Sequence, residues 1–259
     1  MAIKLTIQGL LIYATMAAYL SGVAAWLAGG RKLAWRAYAA GFVLAGASCI
    51  YRGLDAGHTP LTNMFEVLLF MGMLMFPLSV FCRRLLGVGG ECWDMLIAAA
   101  VLAGPGFAMK ADAAPLMPAL QSPLFIPHVA AYLIGYVVMA KAAVAAAGLL
   151  AKGPEAATDR EPGVYRLMCL AFPLLTAGLV LGAVWGKLAW GDWWNWDPKE
   201  LWSLAGWLIC AGYFHYRAMS GRSRPRANAA IVLAAVAVIV ITLLWVNLAR
   251  IFAGLHSYA

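Results

Sequence analysis

Residues 228–249 read NAAIVLAAVAVIVITLLWVNLA, a run of 22 residues without an acidic or basic side chain. About 20 consecutive apolar residues in helical form are needed to cross the hydrocarbon core of a bilayer. This run is therefore long enough to span a membrane. It predicts that lipid, rather than water, is the solvent in which the chain folds.

The composition of the whole chain agrees with this prediction. Of the 259 residues, 64% are hydrophobic and only 12% are charged. So few charged residues cannot cover the surface of a water-soluble fold of this length. The sequence predicts an all-α, polytopic membrane helix bundle, a single membrane domain over residues 1–259 with about eight transmembrane helices in the apolar runs 5–28, 37–51, 62–82, 93–109, 128–151, 167–186, 201–218 and 228–249.

The basic residues indicate which way the bundle faces. Twelve of them lie in the loops after the first, third, fifth and seventh runs. One of these loops is predicted at 152–166. Six basic residues lie on the opposite side. Because cytoplasmic loops are enriched in Lys and Arg, the first set is predicted to be cytoplasmic and both termini extracytoplasmic. The net charge of +8 does not indicate nucleic acid as a partner, since the basic residues form no stripe or tail.

The most unusual segment is predicted to lie on the outer side. Seven of the eleven tryptophans fall between Trp185 and Trp207, and residues 190–200 read WGDWWNWDPKE. An aromatic belt at the membrane interface is the alternative interpretation, but a belt distributes its aromatic residues over many helix ends. We interpret this segment as a surface for a large, flat, apolar ligand, formed by Trp190, Trp193, Trp194 and Trp196.

The end of this segment predicts the start of a helix. Asp197, Pro198 and Glu200 follow the pattern of a capping box, in which Asp197 is the N-cap, Pro198 the first helical residue and Glu200 the third. A structural role is therefore the alternative to ligand binding for Asp197 and Glu200.

The four histidines are His58, His128, His215 and His256, without the spacing of a hydrolytic triad or a zinc protease. His128 follows Pro127 at the outer start of the fifth run, where the positive end of the helix dipole favours the neutral imidazole that binds metals. His256 lies a few residues beyond the eighth run. Two neutral outer histidines beside an aromatic surface indicate axial ligation of a haem iron.

His215 is predicted to lie deeper. It follows Leu201 by fourteen residues, about 21 Å along a helix, which puts it in the cytoplasmic half of the seventh run. An ionisable residue at this depth indicates function, and a histidine hydrogen-bonded inside the bundle is the alternative. For His58 we expect a solvated or capping loop residue, and for Lys141 either snorkelling or a pair with a carboxylate such as Glu66.

Together these segments resemble the haem-handling superfamily that is marked by a tryptophan-rich "WWD" segment. Within it, the WDPKE ending, Pro127-His128, Tyr213-Phe-His215 and the closing Gly254-Leu-His256-Ser-Tyr resemble the CcsA type, also called ResC, of the system II cytochrome c synthetase. The resemblance extends from around His58 to the end of the chain.

The resemblance implies roles for the residues already singled out. Haem b (iron protoporphyrin IX) would have His128 and His256 as extracytoplasmic axial ligands and His215 as a ligand within the membrane. A CcsB-type subunit would supply the second ligand there, because this chain has no other mid-membrane histidine. The platform for the haem would be the extracytoplasmic segment 185–202, with Trp190, Trp193, Trp194, Trp196 and Asp197 as binding residues.

The resemblance also implies a reaction and a location. A subunit of a holocytochrome c synthase in the bacterial inner (cytoplasmic) membrane would join haem vinyl groups to the two thiols of a CxxCH segment by thioether bonds on the extracytoplasmic face. This chain has no CxxCH, so the acceptor would be a separate apocytochrome c. One alternative is a CcmC-type haem exporter without ligase activity. Another is a b-type electron-transfer subunit, which needs histidine pairs at matched depth, whereas only His215 is deep.

Overall fold

The computed structural model describes residues 5–110 and 116–245, in which every regular element is helical. This confirms the all-α prediction. Short π-helical turns extend the fourth long helix through Ala108 and the eighth through Trp245, and a 3-10 turn covers Pro118–Gln121. The long helices are α1 (Ile7–Leu27), α2 (Arg31–Ala56), α3 (Met64–Leu85), α4 (Glu91–Ala103), α5 (Phe125–Leu150), α6 (Pro154–Trp190), α7 (Pro198–Ser220) and α8 (Pro225–Val240).

Within the described residues, seven of these helices, all except α7, are long and apolar enough to cross a membrane. The chain is therefore a multi-pass helical membrane protein. Helix α7 has 23 residues, but it carries Lys199, Glu200 and Arg217, which lower its hydropathy. A transmembrane span at 201–218, and with it a total of eight, stays a prediction.

The structure contradicts the loop expected at 152–166. Helix α6 begins at Pro154 and continues for 37 residues, a length of about 55 Å at 1.5 Å per residue. Pro154 occupies the first turn, where its missing N–H removes no hydrogen bond. The loop prediction is wrong because at least one of the polar residues of this stretch has partners on other helices.

Glu161 is the clearest of these polar residues, and it is fully buried. Its carboxylate accepts hydrogen bonds from Arg217 Nε at 2.6 Å and Arg217 Nη2 at 3.1 Å. Asn228 Nδ2 donates to the same carboxylate at 3.2 Å. Glu161 thus joins α6 to α7 and α8.

The chain divides into two compact units, and the first, drawn from Met1–Arg84 and Gly89–Met117, contains α1 to α4. Tyr19 of α1 is fully buried over Gly41 of α2, where any side chain would collide with its ring. The Tyr19 hydroxyl donates to the Gly72 carbonyl of α3 at 3.0 Å. Asp94 of α4 accepts a hydrogen bond from Ser79 of α3 at 2.6 Å. Buried polar contacts therefore connect α1, α3 and α4, and the Tyr19 ring also packs on α2.

The turn between α2 and α3 contains a buried ion pair. Arg52 Nε lies 2.9 Å from Glu66 Oε1, and the side chains are 1% and 0% exposed. The backbone N–H and the hydroxyl of Thr62 both donate to Glu66 Oε2 at 2.9 Å. Glu66, considered above as a partner for Lys141, is thus bound by Arg52 and Thr62. Arg52 lies in the last turns of α2 and Glu66 in the first turn of α3.

The second unit, Leu85–Val88 and Pro118–Ala259, contains α5 to α8. Helices α5 and α6 pack against each other, and α8 packs against α5 and α7. Helix α6 also contacts α7 and α8. Because α6 ends at Trp190 and α7 begins at Pro198, the tryptophan-rich segment is the connection between two packed helices of this unit.

We expect Glu66→Ala to destabilise the first unit strongly, by about 3–5 kcal/mol, because Arg52 would remain buried without its main counter-charge. Asp55→Ala is the matched control: Asp55 lies 3.7 Å from the same arginine but is 51% exposed, so its loss costs about 1 kcal/mol or less. Thermal unfolding of the purified protein in detergent measures both. Equal shifts in melting temperature would contradict the prediction.

Candidate functional site

His128 lies in the first turns of α5, with its side chain directed toward α6. Its Nδ1 lies 2.8 Å from the carbonyl oxygen of Gly178. A carbonyl can only accept, so Nδ1 carries the proton and, in the neutral ring, Nε2 carries the lone pair. Metal-binding histidines are commonly oriented by such a hydrogen bond from the second ring nitrogen. The contact with Gly178 thus fixes the tautomer of His128 with the proton on Nδ1.

Two aromatic rings hold the imidazole of His128 in place. Trp185 stacks on it at a centroid distance of 5.6 Å and an angle of 24°. Tyr132 meets it edge-on at 5.3 Å and 89°. Trp185 is 1% exposed, and its Nε1 donates to the Ala119 carbonyl at 2.9 Å. The ring beneath the histidine is therefore itself fixed, by the chain segment that leads into α5.

The close approach of α5 and α6 at this point requires two glycines. A methyl group added to Gly182 would lie 2.6 Å from Cε1 of His128, and one added to Gly178 would lie 2.8 Å from the Tyr132 ring. Both distances are too short for any real side chain. The sequence analysis missed this pair, although the spacing of Gly178 and Gly182 in an apolar run is typical of close helix packing in membranes.

The tryptophan-rich segment divides into a buried part and an exposed part. Trp185 and Trp190, at the end of α6, contact each other at 4.7 Å between centroids. Beyond Gly191, whose φ of 91° ends the helix, the chain is irregular up to Asp197. Trp193 and Trp196 in this stretch are 58% and 67% exposed. Two large exposed aromatic side chains three residues apart make this stretch a candidate binding surface.

The capping box predicted from the sequence is confirmed. Asp197 Oδ1 accepts from the backbone N–H of Lys199 at 2.8 Å, and Glu200 Oε2 accepts from that of Asp197 at 3.2 Å. Glu200 Oε2 also accepts from the backbone N–H of Asn195 at 2.8 Å. Asp197 is buried. These contacts give Asp197 and Glu200 a structural role, and haem binding by Asp197 stays a prediction.

The same segment contains two buried donors that the sequence did not reveal. The indole Nε1 of Trp194 and the amide Nδ2 of Asn195 have no hydrogen-bond acceptor among the described residues. A buried N–H group without an acceptor is rare in folded proteins and requires an explanation. A ligand that carries acceptor oxygens would supply one, so this segment fits haem, which has two carboxylates at one edge.

A cavity of ≈ 250 Å³, including space open to solvent, lies beside Tyr132 in the second unit. Tyr136, Trp202 and Ser203 also line it. Tyr132 therefore contacts His128 on one side and this cavity on the other. The sequence analysis missed the cavity, because its walls come from four helices that share no sequence spacing.

The remaining histidines lie apart from this site or outside the described residues. His215 lies on α7, seventeen residues after Pro198, about 26 Å along the helix. It is exposed and has no hydrogen bond among the residues that the structure describes, which argues against the alternative of a histidine bonded inside the bundle. His58 Nδ1 lies 3.1 Å from the Thr59 carbonyl in the α2–α3 turn, as expected for a loop histidine. His256 falls outside the described residues.

His215 lies on a continuous exposed face of α7. The other exposed residues of this face are apolar or small and recur every three, four or seven positions: Leu201, Leu208, Gly212 and Met219. A histidine on such a face cannot find a second axial partner on its own helix, since the spacing of one helix directs neighbouring side chains side by side rather than across an iron. If His215 binds a metal, the second axial ligand has to come from another element.

Comparison with known proteins agrees with the geometry. Residues 35–253 match the model of a family described as "Cytochrome C assembly protein". The cytochrome c biogenesis protein CcsA of Prochlorococcus marinus (strain MIT 9303) is 30% identical over an alignment of 257 residues. The match covers 82% of this chain and 79% of CcsA. The corresponding protein of Synechococcus sp. (strain RCC307) is 31% identical over 258 residues, covering 82% and 80%. That of Chlamydomonas reinhardtii is 33% identical over 226 residues, covering 81% and 63%.

A solved structure with the same fold is that of the cytochrome c haem lyase CcmF. It superposes with a TM-score of 0.67 at 20% identity, and the match covers 94% of this chain and 48% of CcmF. This chain therefore spans less than half of the length of CcmF, and the likeness concerns the fold alone. With a family match over most of its length and relatives of 30% identity or more, the chain belongs to the cytochrome c assembly protein family and is, within that family, of the CcsA type.

Proposed function

We propose that this chain holds haem at the extracytoplasmic face of the bacterial inner membrane and presents it for covalent attachment to the CxxCH segment of an apocytochrome c. The observation that carries the proposal is the hydrogen bond from His128 Nδ1 to the Gly178 carbonyl. It leaves the lone pair of the neutral ring on Nε2, the atom that would bind iron. Family membership supports a role in cytochrome c maturation.

The platform is segment 185–202, with Trp190, Trp193, Trp194 and Trp196 as the residues that contact the porphyrin. The exposed rings of Trp193 and Trp196 support this assignment, since more than half of the surface of each side chain is not covered by the fold. We propose His256 as the second axial ligand on this face. Helix α7 would then form the eighth span, with both termini outside the cytoplasm, which accords with the basic residues at the α1–α2, α3–α4, α5–α6 and α7–α8 connections.

His215 would ligate haem within the membrane together with a residue of a CcsB-type subunit. Its exposure on α7, among the apolar residues Leu208 and Met219, supports a protein partner at this face. An ionisable side chain directed at lipid is unfavourable, and a partner helix that shields it removes that cost. The same partner would supply the second axial ligand.

The chemistry follows from positioning. Haem b supplies two vinyl groups, and each thiol of the acceptor adds across one vinyl double bond, so that a C–S bond forms and the thiol proton ends on the neighbouring carbon. The residues of this chain hold the ring and orient it, which raises the effective concentration of the reacting groups. Exchange of one axial histidine for the histidine of CxxCH would release the product.

Substitution of the axial ligands tests the proposal directly. We expect His128→Gly and His256→Gly each to lower the haem that co-purifies with the protein, and added imidazole to restore it by filling the space of the lost ring. The measurement is the Soret absorbance per protein. His58→Gly is the control, because the His58 Nδ1 contacts the Thr59 carbonyl of its own loop. Unchanged haem in both ligand variants would refute the outer haem site.

The glycine pair provides a test that leaves the ligand itself in place. We expect Gly182→Ala to displace the His128 ring, to lower haem affinity by about tenfold, as for the loss of an orienting contact to a metal ligand, and to alter the axial-ligand bands of the visible spectrum. Gly148→Ala on α5 is the matched control, since its added methyl group meets no atom within 4 Å. A spectrum of Gly182→Ala identical to that of the control would contradict the prediction.

The partner and the ligase activity need a reconstituted system. We expect covalent haem on a co-expressed CxxCH acceptor only when a CcsB-type subunit is present, and its loss in His215→Gly with recovery on added imidazole. Leu208→Arg should reduce co-purification of the subunit, because it places a charge on the exposed face of α7. Absence of covalent haem with and without the subunit would favour a CcmC-type exporter.

A further inference from the structure

Trp194 and Asn195 are consecutive residues whose side-chain donors are buried without an acceptor among the residues described. Both lie in the irregular stretch between α6 and α7. A donor that loses water on folding and gains no acceptor destabilises the fold. Two such donors side by side are therefore best explained by an acceptor group that arrives with a ligand.

The backbone around these donors is fixed by the fold. The Asn195 N–H donates to Glu200 Oε2 at 2.8 Å, and the same oxygen holds the N–H of Asp197. The Trp194 ring meets that of Trp196 at a centroid distance of 6.2 Å and an angle of 83°. The capping box thus anchors the backbone that carries both donors to the start of α7.

A positive charge lies close by in the chain. Lys199 is half-buried near the start of α7, outside the apolar run 201–218. Burial lowers the pKa of Lys199 to about 8, although the nearby Asp197 opposes the shift. A nearby carboxylate stabilises the protonated form of a half-buried lysine. A hydrogen bond between two charged groups is also stronger than one between neutral groups.

On the basis of the proposed function, we infer that Trp194, Asn195 and Lys199 form the carboxylate-binding end of the platform and take a haem propionate. The propionates and the vinyl groups of protoporphyrin IX lie on opposite edges of the ring. A propionate held here directs the vinyl edge away from residues 194–199, toward the space where an acceptor thiol has access. This end of the platform thereby sets which edge of the porphyrin is presented.

Haem and its dimethyl ester, in which both carboxylates are blocked, separate this inference from the proposed function. The full chain is titrated in detergent with each compound, and the ratio of the two affinities is measured. We expect wild-type protein to prefer haem by about tenfold or more, the contribution of hydrogen bonds to a charged group. Trp194→Phe, Asn195→Asp and Lys199→Met should each reduce this preference several-fold. Trp194→Phe removes the N–H donor and keeps an aromatic ring, although a smaller one.

Trp93→Phe, on an exposed position of α4, is the control for the tryptophan substitution and should leave the ratio unchanged. Equal affinity of the wild type for both compounds, or a preference that all three variants retain, would overturn this inference while the haem site stands. The same result is expected if the two donors bind a carboxylate of a partner protein, because esterification of haem does not change that contact. If neither compound binds, the proposed function fails and this inference with it.

Discussion

The site depends on how closely α5 approaches α6. Gly178 and Gly182 present only hydrogen atoms where the rings of Tyr132 and His128 lie, and a methyl group at either position would overlap a ring. The same approach brings the Gly178 carbonyl within 2.8 Å of His128 Nδ1. One packing constraint thus determines the position of the histidine, its tautomer and the ring on which it stacks. Lipid offers no hydrophobic driving force for helix association. The two helices instead associate through dispersion contacts, which the missing side chains of the two glycines make possible.

The tryptophans around this contact have two different tasks. Trp185 is buried, hydrogen-bonded and stacked on His128, so it fixes the position of the histidine ring relative to α6. Trp193 and Trp196 are exposed in a stretch that the capping box of α7 anchors. Trp196 has a φ of 57°, which is rare for a bulky residue and costs free energy. The exposed aromatic surface of this stretch therefore includes a strained backbone position, a feature that is common at functional sites.

Much of the fold could be predicted because apolar length and helix caps are local properties of the sequence. The runs located the long helices, and Asp197-Pro-Lys-Glu200 located the start of α7. The helix at 154–166 could not be predicted, since the burial of Glu161 depends on Arg217, a residue 56 positions away. For the same reason the sequence pointed to His128 but not to its supports, which come from another helix.

The length of α6 has a consequence for depth in the bilayer. The helix measures about 55 Å, roughly 25 Å more than the hydrocarbon core it crosses. Its first turns contain Glu155, Asp159, Arg160 and Arg166, which resist entry into lipid, and Glu161, which fastens them to α7 and α8. Charged residues at this end favour water over lipid, which opposes movement of the helix along the membrane normal. The position of the glycine pair along the membrane normal, and hence that of His128, therefore depends on charged residues near the opposite end of the same helix.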